Sequence, residues 1–333
     1  SVTSTKLDAS ILAAAQTDIP LVRQPFTALA RREGTTRRQV LATLQAARAD
    51  GRLRRISGIF ETRSLGYASA LLAFDVEDIV SAGRIVAEHP GTSHVYERLG
   101  PVSHHLWATL AVSSDSGLGL SGTAHRLAQL SAASDVQILP ALKRYKLDAR
   151  FGDVRPATPA HRIVQDVSLD ATAQQLVRTL QNNVPLTTRP FDRLAADLHM
   201  TTSEFLLRAR ALRSAGVLRR FAAVVNHRRL GAVSNVMTVW PLAGKSADRA
   251  GAICTASTAV SHCFLRRSSP QWPYGFYAMI HGPSQEACRD TIEMLSEQIG
   301  GSEGLALWTG REFKKAPVSL FDPAEARWES RLG

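Results

Sequence analysis

The segment "PLVRQPFTALA" (20–30) returns as "PLTTRPFDRLA" (185–195), and "DGRLRRISGIFETRSLGY" (50–67) returns as "AGVLRRFAAVVNHRRLGA" (215–232), each time 165 residues on. Over residues 20–67 the two copies agree at 17 of 48 positions without a gap. A period of this length exceeds that of any solenoid unit, so each copy is a domain or a pair of domains. The 333 residues are accounted for by two such copies.

Each copy opens with apolar residues at helical spacing, "LDASILAAAQ" and "LDATAQQLVRTLQ". Pro25 and Pro190 suit the first turn of a second helix. "TTRRQVLATLQAARADG" and "TTSEFLLRARALRSAG" then each offer a threonine N-cap and end on Gly51 or Gly216, where a C′ glycine belongs. Three short helices with tight turns read as a helix-turn-helix. Strand-like segments follow, "LRRISGIF" and "LRRFAAVVN" first, then a β-α-β-β-α-β pattern of the ferredoxin-like kind. The expected fold class is α+β, with two tandem copies of a helix-turn-helix domain followed by a ferredoxin-like βαββαβ domain. The boundaries read as 1–52 and 53–150 for the first copy, a linker at 151–167, then 168–217 and 218–333 for the second. The stretch around the linker, "LDARFGDVRPATPAHRIVQD", is rich in Pro, Gly and charge and has no periodicity.

Cys254, Cys263 and Cys288 form no CxxC and are odd in number, which argues against a disulfide framework and a zinc site; they read as reduced thiols serving as small hydrophobes. No run of about 18 apolar residues suggests a membrane span, and "SVTSTKLDASILAAAQ" lacks a signal pattern, so a cytoplasmic location is expected. The formal net charge of +11 calls for an anionic partner, whether nucleic acid, an acidic membrane surface or an acidic small molecule, and charge alone does not choose among them.

A helix-turn-helix followed by a βαββαβ sheet resembles the Lrp/AsnC regulators. The strings "GVLRRFAAVVNHRRLG", "SHCFLRRSSPQWPYGFYAMIHG" and "REFKKAPVSLF" resemble those of sirohaem decarboxylases, Lrp-like enzymes of d1-haem and alternative haem synthesis. "SHVYERLGPVSHHLWATLAV" and "KRYKLDARF" are similar to the companion subunit of the same family. The resemblance implies a fused pair, D-type first and L-type second. It implies non-oxidative removal of CO2 from two acetate side chains of sirohaem to give didecarboxysirohaem, a carboxy-lyase reaction. It implies no cofactor beyond the iron that the substrate carries. It points to d1-haem synthesis and so to other enzymes of that route as further partners. Lrp-like sheets pair back to back, so an intramolecular pseudo-dimer is expected; a homodimer of whole chains stays open.

The residues fit such a substrate. A flat, iron-bearing macrocycle with eight carboxylates calls for apolar and aromatic walls, cations at its rim and an imidazole for the iron. Arginine suits carboxylates because its planar fork bonds both oxygens. Arg219, Arg220, Arg229 and Arg266 are the candidate clamps in the second copy, with Trp272 and Tyr274 as walls; His94, Tyr96 and Arg98 are their counterparts in the first. Because strand residues alternate faces, at most one arginine of an adjacent pair enters a given pocket.

The departing CO2 leaves negative charge that a proton must meet, and histidine titrates near neutrality. His227 and His262 are the candidate catalytic residues, with His262 also a candidate axial ligand to the substrate iron. His227 aligns with Thr62, so the duplicated scaffold does not require it; His262 aligns with His94, and serine precedes both. With His227 ending a first strand and His262 opening a third, the two would converge on one face. His281 ends an aromatic strand and reads as structural; one of His104 and His105 is expected near the ligand in the first copy. The competing reading is an Lrp-like DNA-binding regulator or a non-catalytic haem sensor. Basic residues open "TTRRQVLATLQAARADG", but Glu204 near the start of the matching helix is unfavourable against phosphate.

Overall fold

The computed structural model describes residues 2–147, 169–226 and 234–332. The first copy runs α1 (Val2–Thr17), α2 (Pro25–Arg32), α3 (Arg37–Ala49), β1 (Leu53–Phe60), β2 (Ala68–Asp75), α4 (Ile79–Glu88), β3 (Thr92–Leu99), β4 (Leu106–Val112), α5 (Gly119–Leu130), β5 (Asp135–Leu139) and β6 (Ala141–Leu147). The second runs α6 (Ala171–Gln181), α7 (Phe191–Asp197), α8 (Thr202–Ser214), β7 (Leu218–Val225), β8 (Ser234–Trp240), α9 (Gly244–Ala256), β9 (Val260–Arg266), β10 (Phe276–Gly282), α10 (Gln285–Ile299), β11 (Leu305–Lys315) and α11 (Ala324–Ser330). The chain divides into a helical unit (Ser1–Gly66, Pro159–Leu230, Ser319–Asp322) and a sheet unit (Tyr67–Thr158, Gly231–Val318, Pro323–Gly333), each built from both copies. The expected linker, 151–167, lies outside the described residues.

In the helical unit the local signals act as the sequence suggests. Pro25 occupies the first turn of α2. Thr36 caps α3 by accepting from the Gln39 amide at 3.2 Å, and Thr201 caps α8 by accepting from the Glu204 amide at 3.1 Å. Each of these helices ends beside a glycine, Gly51 or Gly216, at φ 80°. That left-handed conformation costs glycine nothing. Val40, Leu44 and Ala47 are buried on α3; Phe205, Leu206, Ala209 and Leu212 on α8.

The strands after these helices correct the expected boundaries. β1 and β7 were expected to open the sheet domains at 53 and 218; instead they pair with each other, antiparallel, as a two-stranded ribbon inside the helical unit. The segment before α2 then bonds to the other copy's strand: the Ile19 amide donates to the Phe221 carbonyl at 2.7 Å, and the Val184 amide to the Ile56 carbonyl at 2.7 Å. Both members of this pair are 165 residues apart, so the ribbon is the axis of a pseudo-two-fold. β7 is therefore not paired with β9, so the strand adjacency behind the expected meeting of His227 and His262 is absent, and His227 itself lies outside the described residues.

The ferredoxin-like repeats begin at β2 and β8. Their nine strands run β5-β2-β4-β3-β11-β8-β10-β9-β6. Each copy lends its last strand to the other. Pro140 has no N–H and divides one strand in two: β5 pairs with β2 of its own copy and β6 with β9 of the other. β11 does the same without a break, Leu305–Trp308 against β8 and Trp308–Lys315 against β3. Helices cover the outer faces through two separate cores, one around Phe74, Val86, Leu106 and Leu127, the other around Trp240, Cys254, Phe276 and Leu295. A third cluster joins both copies, with Ala73, Trp107 and Leu139 of the first against Met237, Val239, Tyr277 and Leu307 of the second.

All three cysteines are buried and unpaired. Burial pushes the Cys254 thiol to about 12 and the Cys263 thiol to about 11, which suits small hydrophobes rather than nucleophiles. Among the described residues no helix is long and apolar enough to cross a membrane, and no group of three or more His, Cys, Asp or Glu is placed to hold a metal.

Candidate active site

Directly opposed residues of neighbouring strands share a face. In the second copy His262 opposes Met279, which opposes Met237; Phe264 opposes Tyr277, which opposes Val239. In the first copy His94 opposes Thr109, which opposes Leu71; Tyr96 opposes Trp107, which opposes Ala73. Met237, Val239, Tyr277, Trp107 and Ala73 all belong to the cluster that joins the copies. Cys263 turns the other way, into the helix-covered core. The alternation of one strand thus sends His94, Tyr96 and Arg98, and their counterparts 168 residues on, His262, Phe264 and Arg266, toward the inner layer.

The two arginines are held alike. Arg98 is 8% exposed; it lies 5.3 Å over the Tyr96 ring and its Nη1 donates to Thr309 Oγ1 at 2.7 Å. Arg266 is half-buried, 4.8 Å over Phe264 and 5.6 Å over Tyr277, and its Nη1 donates to the Leu139 carbonyl at 3.0 Å. Burial draws each guanidinium down to about 10, opposed by Tyr96 in one case and Tyr277 in the other. Both remain cationic at neutral pH. In both, the buried Nε has no hydrogen-bond partner. A buried donor left unpaired costs about 1–3 kcal/mol.

The aromatic loop of the second copy crosses to the first. Trp272 Nε1 donates to the Tyr277 hydroxyl at 2.7 Å, and its ring meets Trp107, His104 and Tyr274 edge-on at 5.3, 5.5 and 5.0 Å. Ser269 Oγ donates to Gln137 Oε1 at 3.1 Å. His104 Nε2 donates to Asp135 at 2.6 Å. Burial raises the Asp135 carboxyl, but hydrogen bonds from Gln137 and His104 outweigh that and hold it below its ordinary value. Trp272 is only 2% exposed, with its N–H already engaged. It anchors the loop in the inner layer rather than offering the open platform expected of it; Tyr274 is half-buried against it.

His262 and His281 come together through one hydroxyl. Ser261 Oγ is 2.7 Å from His262 Nδ1 and 2.6 Å from His281 Nε2. The first copy keeps half of this arrangement: Ser93 Oγ is 3.1 Å from His94 Nδ1, but Ala111 occupies the position matching His281. Sequence reasoning gave His281 a structural part. The signal that would have found it is its spacing from Met279 on the inner face, legible only once the register with His262 is known.

The other expected residues lie elsewhere. Arg219 and Arg220 belong to β7 in the helical unit; Arg219 is exposed and Arg220 Nη1 donates to the Gln16 carbonyl at 3.0 Å. His227 and Arg229 lie outside the described residues. An open cleft of about 800 Å³ in the helical unit, lined by Arg23, Arg31, Ser203 and Arg210, holds none of the expected residues.

Comparison with known proteins agrees with this layout. The model of the AsnC-like ligand binding domain matches residues 64–146 and 229–314, and that of the siroheme decarboxylase NirDL-like HTH domain matches 8–54 and 173–219. A siroheme decarboxylase of Hydrogenobacter thermophilus is 33% identical over 327 residues, 97% of each chain. A siroheme decarboxylase NirH subunit of Pseudomonas aeruginosa is 42% identical over 158 residues, 46% of this chain and 91% of that one. The crystal structure of the siroheme decarboxylase NirDL in complex with an iron-uroporphyrin III analogue superposes with a TM-score of 0.81 at 31% identity, covering 97% of both chains. Duplicated helix-turn-helix and AsnC-like domains, and identity along nearly the full length, place this chain in the sirohaem decarboxylase family.

Proposed function

We propose that the chain binds sirohaem against the inner face of its sheet unit and removes CO2 from two acetate side chains, giving didecarboxysirohaem as a carboxy-lyase. The observation that carries this is the pair of arginines, Arg98 and Arg266, each with a buried and unpartnered Nε, on the strands that bear His94 and His262. Guanidinium forks fix carboxylates in orientation, and each charge-assisted bond contributes about 1.5–3 kcal/mol. The crystal structure with an iron-uroporphyrin III analogue, another iron-bearing polycarboxylate, supports the same class of ligand.

The chemistry needs one proton per acetate. The bond to the carboxylate carbon breaks, CO2 leaves, and the electron pair stays on the former methylene, stabilised by the macrocycle. His262 delivers the proton that turns that carbon into a methyl. No organic cofactor or oxidant enters this balance, and the iron is the substrate's own. The helical unit serves as scaffold: Glu204 in the first turn of α8 opposes a phosphate backbone there, so DNA is not the partner favoured.

The test is anaerobic incubation with sirohaem followed by mass spectrometry, which is expected to show the loss of one, then two, units of CO2. His262→Ala is expected to slow turnover by about 10²–10⁴-fold while the absorbance change on binding an iron tetrapyrrole persists. Turnover near the wild-type rate would remove His262 from the mechanism. Loss of the axial-ligand band with turnover intact would move it to the iron.

A further inference from the structure

We propose that Ser261 and His281 form a proton relay that loads and orients His262, an inference that rests on His262 being the acid of the proposed decarboxylation. One hydroxyl lies within hydrogen-bond reach of two imidazole nitrogens, His262 Nδ1 at 2.7 Å and His281 Nε2 at 2.6 Å. A hydroxyl has a single hydrogen and can donate to only one of them; the other nitrogen must donate to it. The two rings therefore cannot choose their tautomers independently. With His281 charged, its Nε2–H donates to Ser261, and the Ser261 hydroxyl donates to His262 Nδ1. The hydrogen of His262 is then confined to Nε2, on the side of the ring away from Ser261.

The transfer balances. His262 Nε2–H breaks as the new C–H bond forms on the former methylene. The Ser261 hydrogen passes to His262 Nδ1, and the His281 Nε2 hydrogen passes to Ser261. The electron pair left on the methylene as neutral CO2 departs is met by the proton from His262 while the imidazolium of His281 becomes neutral, so no isolated charge is created in a half-buried site. His281 must then regain a proton before the second acetate reacts. Ser261 is only 7% exposed, which protects the shared hydroxyl from competing water. The first copy has Ser93 and His94 but Ala111 in place of the second ring, so it lacks the reservoir. That difference assigns proton delivery to the second copy. Ser261 and His281 are positioning residues, because they act through His262.

The experiment compares Ser261→Ala, Ser261→Thr, His281→Ala and the double variant Ser261→Ala/His281→Ala in anaerobic single-turnover decarboxylation of sirohaem, with binding followed by absorbance. Ser261→Ala and His281→Ala are each expected to lower the rate at least tenfold with the dissociation constant unchanged. Ser261→Thr is expected to restore most of the rate, and the double variant to be no slower than the slower single one, since a relay fails as a unit. Wild-type rates in Ser261→Ala, or single losses that multiply in the double variant, would overturn the relay. His262→Ala run alongside separates the two ideas. If it is inactive while Ser261→Ala is normal, only the relay falls; if it keeps full turnover, the acid assignment falls with it.

Discussion

His89 shows how far one side chain can bind stability to pH. It caps the end of α4, is 0% exposed, and meets Trp328 edge-on at 4.4 Å. Its Nδ1 accepts from the Gly91 amide at 2.9 Å, which leaves the ring hydrogen on Nε2. Burial, aided by Lys314 and opposed by Glu329, draws its pKa down from 6.5 to about 4. The unfolded chain therefore binds more protons than the folded one between those values. Stability contributed by this group is complete above about 6.5 and is lost as pH falls toward 4, by at most about 3 kcal/mol. Urea melts of the wild type across that range are expected to show the slope, and His89→Gln to flatten it. Arg98 and Arg266, by contrast, keep their charge throughout. Both were legible in sequence as candidate clamps, as was the serine–histidine pair they follow. The partnership of His262 with His281 was not, because nothing in a strand's own sequence tells which residue will stand beside it.

At the scale of elements, α4 and α9 lie against the sheet at two glycines that match across the copies. A Cβ on Gly83 would come within 2.6 Å of the Phe313 ring, and one on Gly251 within 2.3 Å of the Tyr145 ring. Phe313 and Tyr145 sit on the strands that each copy lends to the other, β11 and β6. The glycines thus let each helix approach the borrowed strand. Gly251→Ala is expected to destabilise the fold by about 1–3 kcal/mol through overpacking, read as a lowered Tm. The helices of the two helix-turn-helix segments were legible, because caps, prolines and terminal glycines are contacts among residues three or four apart, whereas α11, which follows the last strand, was not read from the sequence. The strands were legible as strands, but β1 and β7 were assigned to the wrong sheet. A run such as "LRRISGIF" alternates correctly and still carries no mark of its partner.

For the molecule as a whole, the two copies are interleaved rather than strung in a row. β1 pairs with β7, β6 with β9, and β11 with β3, and every one of these ladders joins one copy to the other. A copy on its own would expose three unpaired edges. Severing the chain between residues 150 and 168 and producing the pieces separately is expected to yield aggregated or self-paired material; producing them together is expected to restore one assembly, as read by size-exclusion chromatography and tetrapyrrole binding. A well-folded, monomeric single copy would contradict this. The sequence by itself determined the duplication, the helices of the helix-turn-helix segments and their ends, the βαββαβ order, and the alternate spacing that puts His262 and Arg266 on one face of their strand, because each depends on periodicity or on neighbours within a turn. Only the tertiary structure decided which strands cross between copies, that Trp272 is an anchor, and that Ser261 links two imidazoles. Those depend on pairings between residues 20 to more than 200 positions apart, whose energy exists only once the chain has closed.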